Sequence, residues 1–565
     1  MKKHFLMALC LLGTAGLWGQ SNCRLQDQVP LQLMSRELKR NFRILKKQKP
    51  PIYYLAYTYK QQKEQALSVA YDGVASRQEQ TGAALEVQAR AGSPRLDNTH
   101  ALRGEGERWR LPITAAPEAS AQEPQAFTAA LWRLTQTAAE QAQQDWGRVA
   151  ANVRSMAQGK DLSDDFVFPP QSLYCREEPI QEIDLKEIEP LLLNASKLAS
   201  GKGYVLSSSF SFSAQQGHRY FVDSRGTRLK TPYAYLRLMY EVAGRGQDGL
   251  EISRSKIYDV SSVAQLPTPR QLQADVERSL QELQQLSVAE EGEADSAPTL
   301  LKNYAAAVFV HEVMGHRLEA TRFKSADDGQ TLAGKVGQQV IPPLITITAD
   351  PTMKTWNGVP LRGHYEYDDE GVQARPVVLI ENGVLKNFLM QSSPVRGFAH
   401  SNGHGRKELG RRAEARMSVI RAQAARTVPY AELEKRLLEE IKRQGKPYGY
   451  IVEDLGGGYT LTGTFLPQSF KLETKLVYKV YPDGRKEAVR GLDVVGTPLA
   501  SFNKILAAAD DEMVFNGSCG ASSGWVPQSN IAPSFLFESL EMQKSQKSDY
   551  KPPVLPAPAA KEETK

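Results

Sequence analysis

The chain has 565 residues, 41% of them apolar, so we expect two or three domains with sizeable cores. Its 70 basic and 64 acidic residues leave a net charge of only +6. Because the two signs are interleaved along the chain, no polyanion-binding surface is indicated and we expect no nucleic-acid partner.

The first residues have the layout of a secretory signal peptide. Lys2 and Lys3 precede an apolar run from Phe5 to Leu17, and small and polar residues follow. A retained membrane anchor is the alternative, but the run is shorter than the ~20 residues that a span needs. We therefore expect residues 1–19 to be removed and the mature chain to be exported, periplasmic or secreted, without an integral membrane span.

Residues 20–298 have the pattern of an N-terminal α/β domain. A strand is expected from Pro50, and helices are expected over 125–158 and 184–200. A further helix should begin with Thr268 as N-cap and Pro269 at its first position. The segments "GYVLSSSFSFS" and "HRYFVDSRGTRL" are expected as strands, the second turning at residues 224–226. We find no catalytic constellation in this half and interpret it as scaffold.

The composition changes at residues 287–298, which are acidic and rich in small residues, as expected for a linker. Residues 299–543 then form a second domain, with strands from about residue 340 and hairpin turns at Asn382-Gly383 and Asp483-Gly484. The overall prediction is an α+β protein whose second domain is a mostly antiparallel, curled sheet. Residues 544–565 are expected to be a disordered tail.

The segment "AAAVFVHEVMGHRLEA" opens this second domain and contains a candidate metal motif. His311 and His316 stand five residues apart, which separates them by about 140° on a regular α-helix, whereas H-E-x-x-H brings its histidines onto one face. A metal site here requires either a π-bulge or a helix that ends at Gly315.

The cysteines add a second indication. Loss of Cys10 with the signal leaves Cys23, Cys175 and Cys519, an odd number for an oxidising compartment. Cys23 and Cys175 could pair, which would leave Cys519 in "NGSCGASSG" for another role. A buried free thiol is the alternative for Cys519.

Five blocks occur in order in the second half: "HEVMGHRLEA", "YDDEGVQARPVVLIENGVLKNFLM", "SNGHGR", "EDLGGG" and "NGSCGASSG". Together they resemble the TldD/PmbA metallopeptidase family over residues 299–540. The resemblance implies one Zn²⁺ held by His311, His316 and Cys519, with Glu312 as the catalytic base. It also implies a peptide substrate and a dimer, either with itself or with a paralogue that lacks the motif.

The chemistry of these residues agrees with that assignment. Zinc accepts imidazole nitrogen and thiolate, and a catalytic site has three protein ligands and one open position. The nearby acids Glu319, Asp327 and Asp328 are alternative third ligands. Glu319 could also be an outer partner of a ligand or a surface residue.

Other polar residues have less specific interpretations. His364 and His404 are expected to be loop histidines without a ligand role. Asp368, Asp369 and Glu370 suggest a calcium or acid/base cluster, although a solvated turn before Gly371 explains them more simply. The glycines at 456–458 lack the lysine of a phosphate loop, and their backbone could instead line a peptide groove.

Two hypotheses follow. The first is an exported zinc-dependent peptidase that hydrolyses extended or unfolded peptides. The second is a non-catalytic peptide-binding or assembly partner of an active paralogue. The intact His311, Glu312, His316 and Cys519 favour the peptidase.

Overall fold

The structure is a computed structural model that describes residues 23–102, 110–115, 118–155, 163–246, 248–324, 328–463 and 468–546. The expected signal peptide and residues 547–565 of the expected tail lie outside the described residues. Within the described ranges, no helix combines the length and the apolar character needed to cross a membrane.

The described helices fall in both halves of the chain. The α-helices are α1 (Val29–Leu45), α2 (Pro124–Ser155), α3 (Leu185–Ser196), α4 (Pro269–Val288), α5 (Asn303–Val313), α6 (Tyr430–Arg443) and α7 (Pro498–Phe502). Thr268 caps α4 as expected, and its hydroxyl accepts from the Gln271 backbone while the Gln271 side chain accepts from the Thr268 backbone.

The strands of the first half are β1 (Ile52–Ala70), β2 (Gly73–Ser93), β3 (Leu96–Asp97), β4 (Ile113–Ala115), β5 (Leu173–Cys175), β6 (Ser207–Asp223), β7 (Arg228–Arg245) and β8 (Glu251–Val260). They form one sheet in the order β3-β2-β1-β6-β7-β5, with β4 on β2 and β8 on β7. All neighbours are antiparallel except β5 and β7. The helices α1 to α4 pack on this sheet, and their apolar side chains form two buried clusters with β1, β2, β6 and β7.

The remaining strands are β9 (Glu290–Glu291), β10 (Asp295–Leu301), β11 (Ile345–Ala349), β12 (Thr355–Trp356), β13 (Val359–Pro360), β14 (Val377–Glu381), β15 (Val384–Leu385), β16 (Gly405–Arg406), β17 (Glu414–Ala415), β18 (Val419–Ala424), β19 (Gly449–Thr460), β20 (Phe470–Val480), β21 (Lys486–Arg490), β22 (Leu492–Gly496), β23 (Ile505–Ala508), β24 (Met513–Ala521), β25 (Gly524–Ala532) and β26 (Phe535–Lys544).

The second sheet curls until it closes. Its order is β19-β10-β26-β22-β20, and β20 pairs again with β19, so these strands form a small ring. The segment that composition marks as a linker contributes to it, because Asp295–Leu301 is β10, paired with β19 and β26. The prediction of a mixed fold with mostly antiparallel, curled sheets is confirmed.

A third sheet has the order β15-β14-β11-β18-β25-β24. The motif helix α5 contacts β19 of the ring and β24 and β25 of this third sheet. Every residue from Ala305 to Val313 is buried, as expected for a helix that is covered on all sides. Phe309 packs against Phe470, Phe502 and Phe537. The motif is therefore fixed by the core on all sides.

Candidate metal centre

The five-residue gap between the histidines is explained by the end of α5. The α-helix stops at Val313, Met314 caps it, and Gly315–Leu318 continues as a 3₁₀ turn. His311 therefore lies in the last helical turn and His316 in the tighter turn that follows. Of the two alternatives derived from the sequence, the helix end is the one observed, two residues before Gly315.

Gly315 allows this change of direction by close packing. A Cβ atom at this position would overlap the sulfur of Met417, which lies just before β18. Its φ is not positive, so the requirement is space and not left-handed backbone. The small residue lets the chain turn against the third sheet, and the ring centroids of His311 and His316 come within 5.1 Å.

Three ligand-type atoms converge at this turn. One donor atom from each of His311, His316 and Cys519 lies within 4.8 Å of the other two, and all three residues are buried. Cys519 is on β24, and its Sγ lies 3.4 Å from Nε2 of His316. Two imidazoles and a thiolate are a donor set that suits zinc and leaves one coordination position open.

The nitrogen atoms of His316 have distinct partners. Its Nδ1 lies 3.0 Å from Oε2 of Glu319, and Nε2 faces Cys519. Burial alone would lower the pKa of His316, but Cys519 and Glu319 together raise it above the ordinary value. Burial raises the pKa of Glu319, but His316, Arg416 and Arg322 outweigh it and hold that carboxyl well below its usual range. Glu319 is therefore ionised and can only accept a hydrogen bond.

The Cys519 sulfur has cationic neighbours. Burial on its own raises the pKa of the thiol, whereas His316 and the Arg416 guanidinium lower it, and the net shift is downward. Arg416 also donates to the Cys519 carbonyl at 2.7 Å and lies 3.3 Å from Glu319. These contacts favour the thiolate, which is the metal-binding form.

Glu312 follows His311 directly, and its carboxylate lies 3.9 Å from Nε2 of His311. Burial raises the pKa of Glu312, and the charges of His311 and Arg317 only partly oppose the shift. Strand β19 passes close beside it: a Cβ atom at Gly458 would be 3.1 Å from Cγ of Glu312. The glycine run at 456–458 thus brings backbone next to this carboxylate.

Several polar residues differ from expectation. Glu319 is buried at 2% exposure, so it is not a surface residue. Asp368 and Glu370 are also buried, and Asp368 accepts from the backbone N–H groups of Glu370, Val372 and Gly405. The prediction of a solvated turn was therefore wrong for Asp368 and Glu370, because these buried carboxyl groups hold the loop together inside the protein.

The other candidates lie apart from the three donors or outside the described residues. His364 bonds the Pro351 carbonyl, and His404 bonds Asn402 and Ser418. Burial lowers the pKa of His404 to about 3, so it is neutral. Asp328 pairs with Arg322, and Asp327 lies outside the described residues.

Sequence reasoning missed Arg416, Gln528 and Asn530. Asn530 lies on β25 with its side-chain nitrogen 3.0 Å from Nδ1 of His311, and it also bonds Gln528. Gln528 and Asn530 lie on β25 and Arg416 lies between β17 and β18, all more than a hundred positions from the motif helix, and no local pattern marks them.

Comparisons with known proteins agree with this geometry. Residues 294–544 match the family profile described as PmbA/TldA metallopeptidase C-terminal domain. A metalloprotease of Methanothermobacter thermautotrophicus is 27% identical over 227 residues, 40% of this chain and 45% of the relative. A zinc metalloprotease TldD homolog of Saccharolobus solfataricus is 26% identical over 256 residues, 44% of this chain and 52% of the relative. The chain thus spans about half the length of these curated relatives.

The fold likeness extends further than the sequence likeness. The crystal structure of TldE from Thermococcus kodakarensis superposes with a TM-score of 0.61 at 16% identity, covering 90% of this chain and 99% of that one. At this identity the likeness concerns the fold alone. Residues 294–544 are therefore similar to the PmbA/TldA metallopeptidase C-terminal domain, and the chain is similar over part of its length to proteins named metalloprotease.

Proposed function

We propose that this protein is an exported zinc-dependent peptidase that hydrolyses extended or unfolded peptides. The observation that carries the proposal is the buried convergence of His311, His316 and Cys519 beside the carboxylate of Glu312. One relative is named a zinc metalloprotease, which agrees with the nitrogen and sulfur donors found here.

His311, His316 and Cys519 would hold the zinc ion. When bound there, zinc would supply Lewis-acid chemistry, acidifying a water molecule and polarising a peptide carbonyl. Glu312 would accept the proton of the attacking water and pass it to the leaving amine. The upward pKa shift of Glu312 suits this role, because a base with a pKa nearer to neutrality also returns the proton more readily.

The burial of the site supports an extended substrate. The side chains of His311 and His316 are 5% and 8% exposed, so a folded surface loop would have difficulty reaching them. Strand β10 pairs with β19 only at Tyr450–Val452. Beyond that point, from Asp454 to Thr460, β19 pairs on one side with β20, and among the described residues no strand pairs with its other edge. That free edge next to Glu312 could accept a peptide as an added strand, with main-chain hydrogen bonds and little sequence preference.

Export is supported by a second observation. Cys23 and Cys175 form a disulfide across a sequence separation of 152, and Cys519 is a free thiol. Disulfides persist in oxidising compartments. Together with the signal-like residues 1–19, this supports a periplasmic or secreted location. A dimer, with itself or with a paralogue, is proposed from the family resemblance.

The proposal is tested first with Glu312→Gln. We expect this variant to retain zinc and to lose peptide hydrolysis, because the carboxylate acts on the proton and does not bind the metal. Zinc content by elemental analysis and turnover of an unfolded protein substrate are the two measurements. Loss of zinc in Glu312→Gln would instead make Glu312 a ligand.

Cys519→Ala is the companion variant. We expect it to lose both zinc and activity, because one of three ligands is removed. A full equivalent of zinc with normal turnover in Cys519→Ala would refute the site. Wild-type protein that binds zinc but cleaves no peptide would favour the alternative, a non-catalytic peptide-binding or assembly partner. Equal cleavage of a protein in its folded and unfolded forms would count against the extended substrate.

A further inference from the structure

The two histidines of the metal centre are held by different kinds of partner. Nδ1 of His316 faces the Glu319 carboxylate, which can only accept a hydrogen bond. This carboxylate is nearer to Nδ1, at 3.0 Å, than Nη2 of Arg322, at 3.4 Å, so in the neutral ring Nδ1 carries the proton and the lone pair of Nε2 faces Cys519. The carboxylate thus fixes the ring in the form that can bind a metal through Nε2.

His311 faces an amide. Nδ1 of His311 lies 3.0 Å from Nδ2 of Asn530, and that same Nδ2 donates to Oε1 of Gln528. An amide nitrogen only donates, so in this arrangement Nδ1 accepts and the single proton of the neutral ring sits on Nε2. A protonated Nε2 has no lone pair for a metal.

The same two amides have polar atoms without partners. Oδ1 of Asn530 and Nε2 of Gln528 are buried and make no hydrogen bond. A half-turn of each amide exchanges oxygen and nitrogen and leaves the backbone in place. Oδ1 of Asn530 would then accept from Nδ1 of His311, and Nε2 of Gln528 would donate to the same oxygen. Each amide has one unpaired atom in either orientation, so the need for a free lone pair on Nε2 of His311 is what selects the turned one.

The positions of the two amides on their strand favour this arrangement. Asn530 and Gln528 are two residues apart on β25, so their side chains point to the same face of the strand. Both residues are completely buried. The partner strand β24 carries Cys519, so a single hairpin would supply one zinc ligand and set the orientation and tautomer of another.

We propose that Asn530, oriented by Gln528, is a positioning residue that accepts the Nδ1 proton of His311 and leaves Nε2 free to bind zinc. This role rests on the zinc site of the proposed function. It goes beyond naming the zinc ligands, because it states that a neutral amide determines which nitrogen of His311 carries the proton. For His316, the Glu319 carboxylate has that role.

The test compares two replacements of Asn530. Asn530→Asp keeps the oxygen acceptor and, when ionised, removes the donor, so it enforces Nδ1–H on His311. Asn530→Leu has a similar size and removes the acceptor. Zinc affinity is measured by competition with a chromogenic chelator, and thermal unfolding of the zinc-free protein is measured in parallel.

We expect Asn530→Leu to weaken zinc binding by about 10- to 100-fold, the usual effect of removing an outer partner of a ligand. Asn530→Asp should bind zinc as tightly as wild type or more tightly. Asn516→Leu is the matched control, because Asn516 is a buried amide on β24 that bonds Ser529 and the Pro360 carbonyl and touches no ligand. It should lower the unfolding temperature and leave zinc affinity unchanged.

Wild-type zinc affinity in Asn530→Leu would overturn the proposal. Weak binding in Asn530→Asp would also overturn it, because the donor would then be the required group. This second outcome decides the question even if the leucine variant does not fold. Failure of the zinc site itself is recognised separately, since wild type would then bind no zinc and Cys519→Ala would change nothing.

Discussion

Glu319 contacts most of the charged side chains around the metal centre. One of its oxygens lies 3.0 Å from Nδ1 of His316 and 3.1 Å from Arg322, and the other lies 3.3 Å from Arg416. Because a carboxylate holds both the histidine ring and two cations, its loss affects the ligand and the fold together.

We therefore expect Glu319→Gln to lower zinc affinity by about 10- to 100-fold, since an amide is a weaker acceptor and can turn a donor towards the ring. The loss should remain smaller than in Cys519→Ala, which removes a ligand. Asp328→Asn is the control, because Asp328 also pairs with Arg322 but contacts no ligand. Chelator competition measures all three variants, and equal losses in Glu319→Gln and Asp328→Asn would contradict the role of Glu319.

At this scale the sequence indicates the candidate ligands and base more readily than the residues around them. His311, Glu312 and His316 lie in one short segment, and the family resemblance adds Cys519. Asn530, on β25, and Arg416, just before β18, reach the site because β18 pairs with β25 and β25 with β24 in the third sheet. Their pairing is set by long-range contacts that have no local signature.

The end of α5 is the element that shapes the centre, and Gly315 is its most sensitive position. We expect Gly315→Ala to reduce the free energy of unfolding by about 1–3 kcal/mol, because the added methyl group overlaps Met417 in a close-packed core. Displacement of the turn should also weaken zinc binding. Urea unfolding and zinc titration measure the two effects.

Gly147→Ala provides the matched control. Gly147 is an exposed glycine in α2, and a Cβ atom there would meet nothing within 4 Å. Alanine is favoured over glycine in a helix by up to about 1 kcal/mol, so this variant should be as stable as wild type or slightly more stable. A Gly315→Ala protein with the stability of Gly147→Ala would show that the turn has room to adjust.

A second element-level prediction concerns the buried ion pair between β2 and β3. The Asp97 carboxylate accepts from Arg90 at 2.8 Å, from Tyr53 at 2.6 Å and from the Thr99 backbone at 2.6 Å. Burial alone raises the pKa of Asp97, but Arg90 and the hydrogen bonds from Tyr53 and Thr99 bring it below its ordinary value.

A carboxyl whose pKa is lower in the folded state stabilises the protein above its unfolded pKa, about 3.9, and loses that contribution as the pH falls through the folded value. Asp97→Asn should therefore be clearly less stable than wild type at pH 7, by about 3–5 kcal/mol if the Arg90 charge is left unpaired. The difference should shrink below about pH 4. Unfolding curves at several pH values test this, and a constant difference would contradict it.

The secondary structure was predictable where local chemistry decides it. The N-cap at Thr268 and the turn at residues 224–226 are both observed. Residues 207–213 of the first expected segment and residues 218–223 of the second are instead one strand, β6, and Gly217 lets this strand pass close to the Gln61 backbone of β1. The end of the expected linker, residues 295–298, belongs to β10, which composition did not indicate because its pairing partners β19 and β26 lie far along the chain.

Across the whole molecule, the first half does more than form a scaffold. Lys407 of the second half pairs with Glu86 of β2 in a buried contact, and Arg254 of β8 bonds Asp454 of β19 at 2.6 Å. Arg237 of β7 donates to the Asn516 carbonyl at 3.1 Å, three residues before Cys519. The strand that carries the cysteine and the strand beside Glu312 are therefore both held from the N-terminal sheet, which composition and periodicity could not indicate.

The disulfide gives the last prediction, which concerns the compartment of the whole protein. Cys23 precedes α1, and Cys175 ends β5 at the edge of the first sheet, so their bond ties the start of the described chain to that sheet. A cross-link over a loop this long stabilises mainly by restricting the unfolded chain, typically by about 2–4 kcal/mol. We expect the Cys23→Ser/Cys175→Ser protein to unfold at lower denaturant concentration and to bind zinc as wild type does, because neither cysteine contacts the metal centre.

The disulfide and the single free thiol should also be detectable in the native protein without mutation. If the chain is exported, its unreduced mass should correspond to loss of about the first 19 residues and of two hydrogens, and one thiol should react after zinc removal and denaturation. That thiol is Cys519. Recovery of a chain that retains Met1 and has reactive Cys23 and Cys175 would instead place the protein in a reducing compartment, and the disulfide would then have no part in its stability.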